Sequence, residues 1–557
     1  VSYDHRPVSR GISRLLPSRV DYMGIRQSWR VDLLAGITVG IVALPLALAF
    51  GVSSGVGAEA GLITAIVAGL VAAVMGGSPV QVSGPTGAMV VVLAPVVAVH
   101  GTGSVALLSL MAGLLVCMLG ISGLGRAVAF IPWPVVEGFT LGIAAIIFLQ
   151  QVPLATGTSG IPGHNTLLAA VEAASGAVAP TVLLTLALVA GVAVVMVLVQ
   201  RLFRALPASL LAVLLATTAA ELLQLEIPRI GPLPHSLPSP TLPAFDPASL
   251  GSLAMPAVAI AVLASIESLL SARVAAGMTG PDGAPSGAYS PDRELTGQGL
   301  ASIAAGLFGG MPATGAIART AVNVRSGAKT RMAAAVHAVV LLGIVYLASG
   351  MVSRIPLAAL GGVLMVTAAR MVSRRTVAAI LRSTRSDAAV FILTAIVTVA
   401  FDLIVAIQIG LAAAALFTLR KFASLSSVER EEISGPSSEG DEHIAIFRLD
   451  GAMFFGAAER ILQEISQVKD VQVAIIRLSQ LRMLDATGAH ALVEVISALE
   501  LRGITVLLKG VRPDHLALVT NVGVIRSLRH HKHLFEDLAA AVEHARSHVR
   551  RNAAYRL

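Results

Sequence analysis

Two ionisable residues stand where the surrounding chain is too apolar to solvate them. Glu267 lies midway along the apolar stretch 254–272, with Ser271 one turn later on the same face, and Arg319 lies inside the stretch 315–325. A charge at the centre of a membrane segment costs about 2.5 kcal/mol or more, which makes both residues functional candidates. Arginine adds a permanent positive charge and a planar fork of donors that matches an oxyanion. Glu267 and Arg319 are therefore expected to face each other across a cavity in which a bound anion competes with the carboxylate for the guanidinium. Protonating Glu267 would remove the like-charge repulsion and couple anion entry to a proton. The alternative is a buried pair that merely pins two helices.

The segments around these residues repeat. Gly76-Gly77-Ser78-Pro79 leads to Pro85-Thr86-Gly87-Ala88, and Gly309-Gly310-Met311-Pro312 leads to Ala313-Thr314-Gly315-Ala316. Proline suits a first helical turn, threonine can cap it, and glycine lets the backbone approach a ligand. Two such helix starts aimed at one another offer free N–H groups and positive dipole ends to a small anion. Ordinary inter-helix loops are the alternative, but matched interrupted segments in two halves of a chain mark the midplane site of inverted-repeat transporters.

The elements that must position this site are membrane helices. Of the 557 residues, 55% are hydrophobic and 13% charged, whereas soluble domains carry roughly 25% charged residues. Apolar spans are expected near 32–50, 58–75, 104–122, 133–154, 180–200, 207–224, 254–272, 332–350, 356–370, 387–403 and 405–420. Short, Gly/Pro-broken segments near 85–99, 298–309 and 315–325 bring the expectation to about fourteen transmembrane segments. Arginines cluster before the first span and after the sixth (Arg201, Arg204), eighth (Arg273, Arg293) and twelfth (Arg370, Arg374, Arg375, Arg382, Arg385), whereas 155–179 contains no Lys or Arg. The positive-inside rule then places both termini in the cytoplasm.

Residues 1–30, Arg-rich and without an apolar signal core, read as a cytoplasmic tail; 31–421 as the membrane domain; 422–442 as an acidic linker; 443–548 as a small cytoplasmic α/β domain; and 549–557 as a C-terminal tail. Within the α/β domain the pattern is strand 444–449, helix 457–465, strand 471–478, helix 489–501, strand 504–508 and a last helix. The net charge of +8 sits at span ends rather than in a stripe interleaved with aromatics, so nucleic acid is not an expected partner. The single cysteine, Cys117, excludes disulfides within the chain and Cys-based metal sites, and His100 and His337 lack partners at ligand spacing. No metal or cofactor is expected. Asp32, Glu137 and Asp402 lie at span ends and read as interfacial. With no nucleophile–base pair, metal cluster or phosphate loop, the chain does not read as an enzyme.

These residues resemble the sulfate permease (SulP) family, relatives of the animal anion exchangers that include pendrin and prestin. The likeness is carried by Asp32-Leu33-Leu34-Ala35-Gly36, Ala43-Leu44-Pro45-Leu46-Ala47-Leu48-Ala49-Phe50, Pro85-Thr86-Gly87, Leu295-Thr296-Gly297-Gln298-Gly299, Gly309-Gly310 and Asp402-Leu403-Ile404-Val405-Ala406. It implies a seven-plus-seven inverted repeat divided into core and gate subdomains, the UraA-like fold, in an inner-membrane homodimer. By the same resemblance substrate lies between the third and tenth helix starts, at Thr86, Gly315, Ala316 and Ile317, with Phe50 lining the cavity.

The stretch 43–61 is similar to the family's sodium-dependent bicarbonate transporters, yet Glu267 and Ser271 stand where those have Asp and Thr sodium ligands, and Ile317 replaces a Thr. Arg319 would repel a nearby sodium ion and instead resembles the arginine of the anion exchangers and proton-linked members. The soluble segment resembles a STAS domain, with Met483-Leu484-Asp485-Ala486-Thr487-Gly488 at the place where related bacterial regulators carry a phosphorylatable residue. Thr487 is thus a candidate regulatory site, or Asp485 and Thr487 simply cap the next helix; a cytoplasmic protein partner for the domain is a further expectation.

The expected function is secondary active transport of a small inorganic oxyanion, sulfate or bicarbonate, by proton coupling or exchange. A dicarboxylate symporter of fumarate-like substrates, a sodium-coupled bicarbonate symporter, a uracil-type permease and a passive anion channel are the alternatives.

Overall fold

The computed structural model describes residues 15–125, 131–158, 166–176, 181–203, 206–243, 247–283, 285–401, 403–424, 427–433, 436–453 and 470–554. Arg6, Arg10, Arg14, Asp402 and the expected helix 457–465 lie outside these. The chain divides into two units, 1–411 and 412–557.

The first half of the membrane unit runs α1 (Ile25–Ser53), α2 (Ala58–Met75), β1 (Ser83–Gly84), α3 (Gly87–His100), α4 (Ser104–Ile121), α5 (Trp133–Gln150), α6 (Val152–Thr156), α7 (Thr166–Ser175), α8 (Thr181–Leu202) and α9 (Ala208–Leu222). The second runs α10 (Pro247–Ala276), α11 (Pro291–Leu307), β2 (Thr314–Gly315), α12 (Ile317–Arg325), α13 (Arg331–Val352), α14 (Leu357–Met371), α15 (Arg374–Leu381), α16 (Arg385–Ala400) and α17 (Leu403–Ser424). Among the described residues eight helical segments are long and apolar enough to cross a membrane. The broken segments fall short for a physical reason. At 1.5 Å per residue α3 spans about 21 Å and α12 about 14 Å, against a hydrocarbon core of about 30 Å.

Close helix approach depends on small residues. A Cβ on Gly61 would stand 2.1 Å from the Ala47 carbonyl oxygen, which brings α1 and α2 into backbone contact, and one on Gly299 would stand 2.5 Å from the Gly113 carbonyl oxygen, which does the same for α4 and α11. Helices α1, α2, α4, α10, α11, α12 and α13 pack among themselves, while α5, α8, α9, α14 and α16 form a second packed set.

Two charged residues differ from their expected surroundings. Asp32 is fully buried rather than interfacial: it accepts from the Lys329 and Thr330 amides at 2.7 and 3.1 Å and from the Ser28 and Thr330 hydroxyls at 2.6 Å each, thereby fixing the entry to α13. Helix α11 begins at Pro291, seven residues before the expected 298, because Pro291 fits its first turn and the polar residues there are paired inside protein. Arg293, expected as a cytoplasmic loop charge, is buried in that turn and donates to Asp21 at 2.9 Å. Glu294 accepts from the Gly77 and Ser78 amides at 2.7 and 2.9 Å. Glu137 is half-buried and accepts from Trp133 at 3.1 Å.

The second unit contains a sheet of six strands ordered β3 (Ser427–Glu431), β4 (Ile444–Met453), β5 (Val473–Arg477), β7 (Thr505–Lys509), β8 (Leu534–Phe535), with β6 (Leu481–Leu484) paired to the far end of β4. Only β3 is antiparallel. Strand β3 falls inside the segment expected as a linker, where alternate residues of an acidic run pair with Arg448 and Arg477 across the sheet. Both faces are covered, as a parallel sheet requires. Ala445, Phe447 and Leu449 pack beneath helices Ala486–Leu501 and Pro513–Val522, while Ile444, Ile446, Val473 and Ile475 pack beneath the C-terminal helix Leu538–Ala554. That helix runs past 548, so most of the expected tail is structured: Ala541, Val542, Ala545 and Val549 recur on one face and bury together.

Arg546 of this helix donates to both carboxylate oxygens of Asp441 at 2.9 Å. These bonds hold the Asp441 carboxyl below its usual 3.8. A depressed folded value means the unfolded chain takes up the proton first, so the stabilisation is complete above about pH 4 and disappears as pH falls through the folded value. Asp441→Asn is therefore expected to lower the melting temperature at neutral pH and to match wild type in acid. Circular-dichroism melts of the full chain at stepped pH would show this; parallel curves at every pH would rule it out.

Candidate functional site

The repeated motifs meet. Strands β1 and β2 pair antiparallel, Ser83 opposite Gly315 and Gly84 opposite Thr314, and the Ala316 amide donates to the Val82 carbonyl at 2.9 Å. Each two-residue strand feeds a helix start at once, α3 at Gly87 and α12 at Ile317, so the crossing joins the N-termini of two discontinuous helices. Neither start is capped by a side chain.

Helix α10 lies along this crossing. Ser268 accepts from the Gly315 amide at 3.0 Å, and the Ser271 hydroxyl donates to Thr320 Oγ1 at 3.2 Å, which in turn accepts from the Val82 amide at 3.1 Å. Ser271 is fully buried in this brace. Glu267, half-buried on the same helix, accepts from Thr86 Oγ1 at 2.8 Å. Thr86 occupies the N-cap position of α3 with extended backbone; its hydroxyl oxygen accepts no backbone N–H of the first turn, and its proton is donated to the carboxylate in a charge-assisted bond.

Arg319 is 2% exposed, and among the described residues neither Nη1 nor Nη2 has a hydrogen-bond partner. Its guanidinium lies against the backbone of β1: a Cβ built on Gly84 would stand 2.5 Å from Nη1. Glu267 is within electrostatic reach, as is the fully buried His337 of α13. The expected face-to-face contact is looser than a direct ion pair, since Thr86 holds the carboxylate and Nη1 of the guanidinium lies against Gly84. Phe50 is buried with its ring beside Gly87, where a Cβ would stand 3.3 Å from Cε1. Gly315 and Ala316 are buried within the crossing, and Ile317 is 38% exposed at the first position of α12. Thr86, Phe50, Glu267, Ser271, Gly315, Ala316, Ile317 and Arg319 are thus brought to one place, whereas Thr487 belongs to the other unit.

Several buried polar groups of the crossing had escaped sequence reasoning. Gln81 is buried with both amide atoms unpaired, against Gly315, where a Cβ would collide with its Nε2. Gln298 donates to Ser83 and Glu294, and Thr64 accepts from the Met311 amide at 2.7 Å. The available signal was that Glu294 and Gln298 flank the Leu295-Thr296-Gly297 motif and that Ser268 adjoins Glu267 in an apolar run. In the second unit Asp485 caps helix Ala486–Leu501 through the Gly488 amide at 2.7 Å, while Thr487 is exposed in its first turn and does not share the cap.

Comparison with known proteins identifies the family. The sulfate permease family profile matches residues 29–394 and the STAS domain profile residues 435–541. The putative sulfate transporter YvdB of Bacillus subtilis is 31% identical over 516 residues, covering 90% of this chain and 95% of the relative. The bicarbonate transporter BicA of Picosynechococcus is 29% identical over 503 residues, covering 84% of this chain and 86% of the relative. Among solved structures, the transmembrane domain of a cyanobacterial BicA superposes with a TM-score of 0.62 at 28% identity, covering 70% of this chain and 98% of that one. The murine anion transporter Slc26a9 in an inward-facing state superposes with a TM-score of 0.83 at 16% identity, covering 98% and 96%, a likeness of fold. The paired helix starts, the apolar helices and the C-terminal α/β unit are those of a multi-pass membrane transporter and not of an enzyme, and the chain belongs to the sulfate permease family.

Proposed function

We propose that this chain carries a small inorganic oxyanion, sulfate or bicarbonate, across the cytoplasmic membrane by alternating access, driven by a proton gradient or by anion exchange. The observation that carries the reading is Arg319. A permanently charged side chain whose two terminal nitrogens are buried without partners is unfavourable unless a ligand completes it, and it lies where two uncapped helix starts add positive potential. Thr86, Gly315, Ala316 and Ile317 offer backbone and hydroxyl contacts, and Phe50 closes the cavity. Glu267 sets the proton dependence, while Ser271 positions α12 through Thr320. The transporters of sulfate and bicarbonate among the relatives support the substrate class.

In this reading about fourteen segments form a seven-plus-seven inverted repeat, the two packed helix sets act as core and gate, both termini are cytoplasmic, and the protein works as a homodimer. The STAS domain binds a cytoplasmic partner and presents Thr487 as a phosphate acceptor. The test is uptake of labelled sulfate, bicarbonate, chloride and fumarate into proteoliposomes with pH and sodium gradients imposed separately. Concentrative uptake of an inorganic oxyanion under a pH gradient or counter-anion supports the proposal. A strict sodium requirement, preference for fumarate, or purely downhill flux would each replace it.

Gly84 supplies a specific check. Gly84→Ala places a methyl group against Nη1, and the flexible guanidinium yields before the backbone does. The anion KM is expected to rise about tenfold, the size of one misaligned charged hydrogen bond, with the melting temperature nearly unchanged. An unaltered KM would show that the guanidinium position does not matter.

A further inference from the structure

The second unit holds a cluster of imidazoles that transport does not use. His544 and His548 stand one turn apart on the C-terminal helix Leu538–Ala554, and His533 comes from the turn before β8. One ring nitrogen from each of the three lies within 4.8 Å of the others. Nε2 of His544 and Nε2 of His548 are 3.3 Å apart. The rings meet edge to face, at 63°, 85° and 73°.

We propose that His533, His544 and His548 form a three-histidine site for a divalent transition metal of the zinc class. Zinc–nitrogen bonds of about 2.0–2.1 Å at tetrahedral angles place ligand nitrogens about 3.3–3.4 Å apart, the separation already present between His544 and His548. A small movement of the His533 ring completes the set. His533 is 4% exposed, its Nδ1 has no hydrogen-bond partner, and its ring is hydrogen-bonded to the backbone of Val506. An orphaned buried nitrogen on a ring oriented by a backbone bond is the usual arrangement of a metal-ligating imidazole. The fourth position falls to water or to the exposed His530, whose ring centroid is 6.0 Å from that of His533.

Such an ion would tie the C-terminal helix to the sheet edge at β8. It binds only the folded domain and so raises its thermal stability by mass action. The test uses the full-length protein, purified in detergent without a polyhistidine tag, stripped with chelator, reloaded with zinc and dialysed. One zinc per chain is expected by elemental analysis, with affinity at least tenfold weaker in His544→Ala and His548→Ala. His490→Ala serves as control, because that exposed ring faces Glu494 on helix Ala486–Leu501. No retained zinc, or equal retention in all three variants, would overturn the site. Should the cluster variants misfold by circular dichroism, cobalt loading of wild type decides: an intense tetrahedral visible spectrum supports the site, and a weak octahedral one removes it.

Discussion

Arg319→Ala is expected to lower anion uptake by about a hundredfold or more, with the helix bundle still folded. Each hydrogen bond to a charged group is worth about 1.5–3 kcal/mol, so losing two from the guanidinium removes at least about 3 kcal/mol of anion binding. The converging dipoles of α3 and α12 remain but lack a full charge between them. Stability moves the other way. The guanidinium is buried with unpartnered nitrogens, so Arg319→Met, which keeps the apolar stem and fills the space, is expected to melt at or above the wild-type temperature. Arg319→Lys retains charge without the planar fork and is expected to fall between. Binding of the labelled anion to purified protein, together with melting temperature, separates the two effects. Full uptake in both Ala and Met variants would show that the anion is held elsewhere.

Glu267→Gln is expected to abolish the acid stimulation of uptake. The glutamine side chain keeps the shape and can still accept the Thr86 hydroxyl, so the start of α3 stays in place. What changes is charge: a carboxylate within reach of Arg319 competes with the incoming anion, whereas a neutral amide does not. Wild-type initial rates should therefore rise as pH falls, while the variant runs at one rate throughout and no longer accumulates anion against a gradient when only protons are supplied. A variant that melts early yet keeps the wild-type pH profile would reduce Glu267 to a helix pin.

Much of the membrane unit was legible in the residues themselves. Apolar length and the clustering of arginines are local properties, and the lipid leaves few ways to satisfy the backbone, so the helices followed directly. The two Thr-Gly-Ala repeats pointed to β1 and β2 for the same reason: a glycine–proline break is a local instruction. Where charge was involved, locality failed. Asp32 read as interfacial because it sits at the end of an apolar run, yet four donors from Ser28, Lys329 and Thr330 surround it, three of them about 300 positions away in the chain. Arg293 read as a loop charge and proves to be a buried partner of Asp21, and the neighbouring Glu294 accepts from the Gly77 and Ser78 amides. Thr86 had the right identity for a cap, yet it makes no cap bond and instead donates to Glu267 from another helix.

The α/β unit shows the same division. Strands β4, β5 and β7 were visible as apolar runs, whereas β3 was hidden in an acidic segment whose pairing depends on Arg448 and Arg477 opposite. The histidine cluster was invisible because His533 and His544 approach only when the C-terminal helix folds back on the sheet. Sequence alone determined which segments form apolar helices, which of them are broken, and that one arginine stands beside a break, because hydrophobicity and backbone chemistry act over a few residues. Only the tertiary structure decided which polar groups are paired and which, like the Arg319 nitrogens, find no partner among the described residues, since pairing is settled by neighbours brought together from distant parts of the chain.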